Sequence, residues 1–178
     1  MIALALHVDY WDYIGWQDAF ALPEHAERQR TYARQAGRRS IYTPQMIING
    51  VDSIVGARGM EISEAIMAHK SQITGVAVTA RRAGDQVLIS AQASGSSAGP
   101  MDVLLVRYTE LSDVKITRGE NAGRHLSYAN VVQSWERVAE WSGQTTLSVE
   151  AGLSGDAPAV VLIQAAGTGP IVAATRLD

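Results

Sequence analysis

From Gly75 onward the sequence carries six short β-prone runs, at residues 76–80, 86–90, 103–108, 145–151, 159–164 and 171–175, separated by Gly, Ser, Pro and Asp. Spacing this tight leaves no room for crossover helices, so the strands have to pair antiparallel and bury one face each against a second sheet. The expected architecture for residues 75–178 is a β-sandwich. One segment in this half is ambiguous. Between Tyr128 and Trp141, Val131, Trp135 and Val138 fit a helical face, whereas Val131, Trp135, Ala139 and Trp141 fit a period of two, and the strand reading is favoured. The stretch from Ala93 to Pro100 reads as a loop. The pattern changes near Ile73–Gly75, which divides the chain into residues 1–74 and 75–178.

The first part alternates strand and helix, so the expected class is α/β followed by all-β. Ile2–Val8 is rich in apolar residues and reads as a fully buried strand that ends in the polar-aromatic loop Asp9-Tyr10-Trp11-Asp12-Tyr13. Pro23 and Glu24 mark a helix start and Gly37 its stop. On that helix Ala26, Gln29, Ala33 and Ala36, with Tyr32, form a weakly apolar face, and Arg28, Arg30 and Arg34 are expected to stay solvated. Gln45–Ile48 and Ser53–Val55 flank Asn49-Gly50, a turn pair that tolerates positive φ and so predicts a hairpin. Ile62, Ala65, Ile66 and His69 recur at helical spacing, predicting a helix from Met60 to about Ser71.

Composition excludes several functions. The 178 residues contain no cysteine, so the chain has no disulfide, thiolate nucleophile or iron–sulfur ligand. Fifteen Lys and Arg against eighteen Asp and Glu, a net charge of -3, leave little positive surface for a nucleic-acid backbone. No apolar run approaches the roughly 20 residues that a membrane-spanning helix needs, and the N-terminus lacks the basic start and small-residue cleavage site of a signal peptide.

The motifs His7-Val8-Asp9-Tyr10-Trp11-Asp12, Gly15-Trp16, Arg28-Gln29-Arg30 and Tyr42-Thr43-Pro44-Gln45-Met46, with Gly119–Arg124 and Asn130-Val131-Val132, resemble an uncharacterised bacterial envelope family with a thioredoxin-like domain. The resemblance covers nearly the whole chain. It implies a thioredoxin-like domain over residues 1–74 that lacks its first strand and its Cys-x-x-Cys helix, followed by the β-sandwich. It also implies a periplasmic or secreted location, and a parent protein that is a thiol-disulfide oxidoreductase or thiol-dependent chaperone acting on protein or peptide thiols. The present chain would be its redox-inactive, truncated remainder, and no cofactor is expected. The alternative is a non-enzymatic protein-binding module that uses the Trp loop and the sandwich. If a central strand is missing, Ile2–Val8 and Gln45–Ile48 should border a gap, and the exposed edge would offer a route to homo-oligomers.

Candidate site residues follow from these readings. Thr43-Pro44 before a hairpin strand predicts a cis peptide bond, and Tyr42, Thr43 and Pro44 would present backbone to an extended substrate, as the resemblance implies. Asp9, Trp11, Asp12 and Trp16 form an aromatic-acidic loop at the end of a strand, where a partner could anchor; packing of both indoles onto the core is the favoured reading. His7, Asp9, Glu24 and His25 match no compact metal-ligand spacing, so no metal is expected. Glu120, Asn121 and Arg124 sit in a Gly-bracketed loop and read as structural. No Gly-x-Ser-x-Gly elbow is present, and Gly95–Ser97 belongs to a low-complexity loop. Gly167-Thr168-Gly169 reads as a hairpin turn rather than a phosphate cradle, since no helix follows it.

Overall fold

The computed structural model describes residues 1–72, 74–94, 99–119 and 121–177. The readings that fall on Ile73, on Gly95–Ser97 and on Glu120 lie outside the described residues. A short 3-10 turn, Asp12–Ile14, precedes helix α1, Pro23–Gln35. Pro occupies the first turn of α1, where its missing N–H costs nothing, Glu24 lies at the positive end of the helix, and Gly37 at φ 68° ends it. Strands β1 (Gln45–Ile48) and β2 (Asp52–Val55) pair antiparallel with Met46 opposite Ile54. Their turn uses Asn49 and Gly50 at φ 48° and 73°. A Cβ at Gly50 would lie 2.6 Å from the Gly169 carbonyl oxygen, so that position demands glycine twice over. Helix α2, Gly59–Lys70, packs on this hairpin and is tied to it by His69 Nε2 and Asp52 Oδ2 at 2.7 Å.

The remaining strands are β3 (Val76–Ala83), β4 (Gln86–Ala93), β5 (Met101–Lys115), β6 (His125–Trp141), β7 (Leu147–Gly152), β8 (Ala159–Ala165) and β9 (Ile171–Arg176). They form two antiparallel sheets, in the orders β3-β4-β7 and β6-β5-β8-β9. Val87 and Ile89 from the first sheet meet Val103, Leu105, Trp141, Val161 and Ile163 from the second in the main core. The four-stranded sheet is covered on its other face as well, where Leu104, Val106, Tyr108, Val132, Val160 and Leu162 receive Ile2, Leu4 and Leu6. Coverage of both faces explains why β8 reads as an unbroken apolar run rather than an alternating one. Strands β5 and β6 form a hairpin longer than the sandwich, bent by register shifts at Val103/Leu104 and Arg107/Tyr108. Its far end reaches the N-terminal loop, where a Cβ at Gly119 would lie 3.1 Å from Trp16 Cβ.

The expected α/β thioredoxin-like fold of residues 1–74 is not what forms. The molecule is mostly β, with two α-helices among the described residues and three antiparallel sheets. Ile2–Val8 is not a buried strand of a central sheet. Its one ladder contact is a parallel bridge from Ala5 to Val131 of β6, made by Ala5 N–H to the Asn130 carbonyl (2.8 Å) and Val132 N–H to the Ala5 carbonyl (2.9 Å). The physical reason lies in alternation. Ile2, Leu4 and Leu6 put one apolar face onto the sandwich, so the run is half-buried, and nothing forces it between two other strands. The β1–β2 hairpin pairs only within itself.

Candidate functional site

The loop after Ile2–Val8 is held by its own acids and by two histidines. Asp12 N–H donates to the Asp9 carbonyl (3.0 Å), Ile14 N–H to the Trp11 carbonyl (3.1 Å), and Gly15 at φ 106° ends the turn. Asp18 then closes the loop. Its N–H reaches Asp12 Oδ1 (3.1 Å), its Oδ2 lies 2.6 Å from His7 Nδ1, and its Oδ1 accepts from Phe20 N–H (2.9 Å). The His7 ring stands edge-on to Phe20 and Tyr128. Its carbonyl accepts from Leu22 N–H and from Nδ1–H of His25, which joins the loop to the start of α1. His7 and His25 are thereby parts of a clasp.

This clasp presents aromatic side chains beside Thr43-Pro44. Trp11 is 44% exposed, which corrects the expectation that its indole packs on the core, whereas Trp16 is half-buried. The Trp11 indole N–H donates to Thr43 Oγ1 at 2.9 Å. Tyr13, 79% exposed, stacks on Trp11 with ring centroids 6.3 Å apart. The Thr43–Pro44 bond is cis, as expected from the sequence. Trp11, Thr43 and Pro44 therefore share one surface. Asp9 enters it through the backbone carbonyl that starts the turn.

Beneath the surface lies a side chain that sequence reasoning did not select. Gln29 of α1 is buried; its amide accepts from Tyr10 Oη–H (3.0 Å) and donates to the Tyr42 carbonyl (2.7 Å) and to Gln45 Oε1 (2.6 Å). A lone amide on an otherwise small, apolar helix face was the available signal, because a buried polar group must find partners. Gln45 in turn donates to Ser53 Oγ across the hairpin. Burial opposes ionisation of the Tyr42 phenol, but its contacts with Ser53 and Arg38, both 3.4 Å, outweigh burial and hold its pKa below the ordinary 10.0. The same contest occurs at Asp18, where burial would raise the pKa but hydrogen bonds from His7 and Phe20 bring it below 3.8.

Other predicted residues lie apart from this surface or play structural parts in it. Asn121 and Arg124 are exposed in the tip of the β5–β6 hairpin, whose backbone closes on itself through Ile116 N–H to the Arg124 carbonyl and Gly123 N–H to the Ile116 carbonyl. Gly167 and Thr168 form the β8–β9 turn at positive φ and contact Gln35 of α1. Arg28 is not solvated, as the sequence led one to expect. Its guanidinium lies 3.9 Å from the centroid of Trp135 on β6 and donates to Tyr32 Oη (2.8 Å) and Gln164 Oε1 (2.7 Å).

A family model described as "Protein of unknown function (DUF1223)" matches residues 1–164. The chain belongs to this family. A crystal structure of an Agrobacterium tumefaciens protein, solved as a structural-genomics target, superposes with a TM-score of 0.81 at 33% identity, covering 99% of this chain and 79% of that one. None of the curated proteins matches the chain. Membership thus carries the fold and leaves the chemistry to be argued from the site. Its functional groups are aromatic faces, amides and hydroxyls, with no thiol anywhere in the sequence.

Proposed function

We propose that this chain is a non-enzymatic, polypeptide-binding module whose contact surface is the Trp11–Tyr13 loop together with Tyr42, Thr43 and Pro44. The observation that carries this reading is the hydrogen bond from the Trp11 indole to the Thr43 hydroxyl, which fixes a largely exposed aromatic pair beside the start of β1. A rigid, amphipathic aromatic pair binds with little loss of conformational entropy, and Trp and Tyr are the residues most often found at the energetic centre of protein interfaces. Ile14, also exposed, extends the apolar area. The bacterial envelope is the location assigned to this module, following the sequence resemblance.

Fluorescence anisotropy against an array-selected, labelled peptide tests the proposal. Replacing Trp11 and Tyr13 together by alanine should weaken binding at least about tenfold, since interface aromatics of this kind each carry 1.4 kcal/mol or more. A double variant that binds as tightly as the parent chain would defeat the reading.

A further inference from the structure

Two backbone edges beside the aromatic surface carry hydrogen-bonding groups with no partner among the described residues. On β1, Gly56 N–H donates to the Pro44 carbonyl, so the alternation of an antiparallel ladder turns Met46 and Ile48 toward β2 and turns Gln45 and Ile47 away from it. The same outward edge continues to Asn49, whose carbonyl accepts from Ile171 N–H of β9 at 2.7 Å. On the N-terminal segment, Ala5 directs both its N–H and its carbonyl at β6, so the backbone of Leu4 and Leu6 faces the opposite side.

The two segments are joined at both ends. Where Ile2–Val8 leads into its loop and β1 begins, Trp11 bonds Thr43, and Tyr10 reaches Tyr42 through Gln29. At the other end, Ile171 bonds Asn49 and packs against the apolar cluster that receives Ile2, Leu4 and Leu6. The segments therefore run antiparallel beside each other, bounding a slot between the Trp11–Thr43 bond and Ile171. Neither Met1–Val8 nor Gln45–Val51 contains Asp, Glu, Lys or Arg, so neither edge has the charges that usually guard an open strand.

We infer that this slot takes an extended, uncharged segment of a partner polypeptide as an added β-strand. The segment pairs with the outward N–H and carbonyl groups of Gln45 and Ile47 on one side and with those of Leu4 and Leu6 on the other. This rests on the polypeptide-binding reading above and gives it a substrate class: an apolar strand whose end meets Trp11 and Tyr13. Main-chain hydrogen bonds supply affinity in this mode, and alternate side chains supply selection. A charged residue at the centre of the segment is excluded, because both lining edges are uncharged and the face beneath them is the apolar cluster of β5, β6 and β8.

The test is hydrogen exchange of the full chain with a blocked seven-residue peptide of alternating threonine and valine, read with Trp11 fluorescence in the same titration. Saturating peptide should slow exchange at the amides of Gln45, Ile47, Leu4 and Leu6 by about tenfold or more, the worth of one hydrogen bond, and leave Met46 and Ile48 unchanged. Ile47→Pro, which removes an outward donor at an edge position where proline is tolerated, should weaken the peptide without altering exchange in β5 and β8. A peptide that changes the fluorescence but not those four amides overturns the strand assignment and leaves the aromatic surface standing. If neither signal responds, both readings fail. Protection of Gln45 and Ile47 that appears without peptide and grows with protein concentration would overturn the proposed occupant, naming a second copy of the chain in its place.

Discussion

The imidazole of His25 is 3% exposed, and its Nδ1–H is committed to the His7 carbonyl, so Nε2 is left bare and buried without a partner. A second proton would put a charge and an unsatisfied donor into that space. Burial accordingly lowers the pKa below the ordinary 6.5; the His7 carbonyl and Glu24 oppose that shift, and His7 and Arg28 add to it. With the folded-state value depressed, the unfolded chain takes up the proton first as pH falls. The stability owed to His25 is therefore complete above about pH 6.5 and is lost as pH drops through the folded pKa. Asp18, with its own lowered value, keeps its contribution until pH falls below 3.8, so the two windows separate. Urea midpoints should be level from pH 8 to 7 and decline below 6.5, and His25→Gln should flatten that decline. A wild-type curve without curvature between pH 7 and 5 would remove the argument. The sequence signalled His25 only as a poor metal ligand, because its partner is a backbone carbonyl that no side-chain spacing can reveal.

Helix α1 shows how much an element's surroundings decide. Its start, its stop and the Asn49-Gly50 hairpin after it were readable from local chemistry, since proline at the first turn and positive-φ residues act through their own backbone. Which face of α1 is buried was not readable, because Arg28 lies between arginines that do stay in solvent. Arg30 and Arg34 pair with exposed Glu27, whereas Arg28 crosses to Trp135 and Gln164, residues more than a hundred positions away. The buried guanidinium is tolerated through cation–π contact and hydrogen bonds, and Gln164 is the centre of that arrangement. It accepts from Arg28 and donates to Tyr32 Oη (2.8 Å) and the Gly169 carbonyl (2.6 Å). Gln164→Leu keeps the volume of β8 but strands Arg28 and the Gly169 carbonyl. It should cost about 1–3 kcal/mol, the usual penalty for an unsatisfied buried polar group, read as a lowered urea midpoint with an unchanged slope. A midpoint within error of the parent would mean that α1 is not docked through this residue. The Ile2–Val8 run misled for a related reason. Its composition suits a two-sided strand, and only the position of β6 determines that one side is used.

Across the whole molecule, burial is distributed unevenly. Thirteen buried residues make up the core between the two large sheets, but no residue of β1, β2 or α2 is buried. What holds this outer layer is a set of discrete ties, including Asn49 to Ile171, Gln29 to Gln45 and His69 to Asp52. Local opening costs little where few apolar contacts must be broken, so the layer should unfold without the sandwich. Native-state hydrogen exchange at rising urea tests this. Amides in α2 and in the β1–β2 hairpin are expected to exchange through openings of low free energy and small urea dependence. Amides of Val103 in β5 and Val161 in β8 should exchange only by global unfolding. The Ala5 and Val132 amides, whose bonds join the N-terminal segment to β6, should fall between the two groups. Such a gradient would place the proposed strand slot at the boundary between a rigid sandwich and a yielding outer layer, so that a strand entering it gains pairing partners on β1 while ordering a hairpin that lacks a core of its own. Convergence of the α2 and Val161 amides on one free energy at zero urea would show instead that the layer and the sandwich fold as one unit, and strand entry would then have no loosely held hairpin to order.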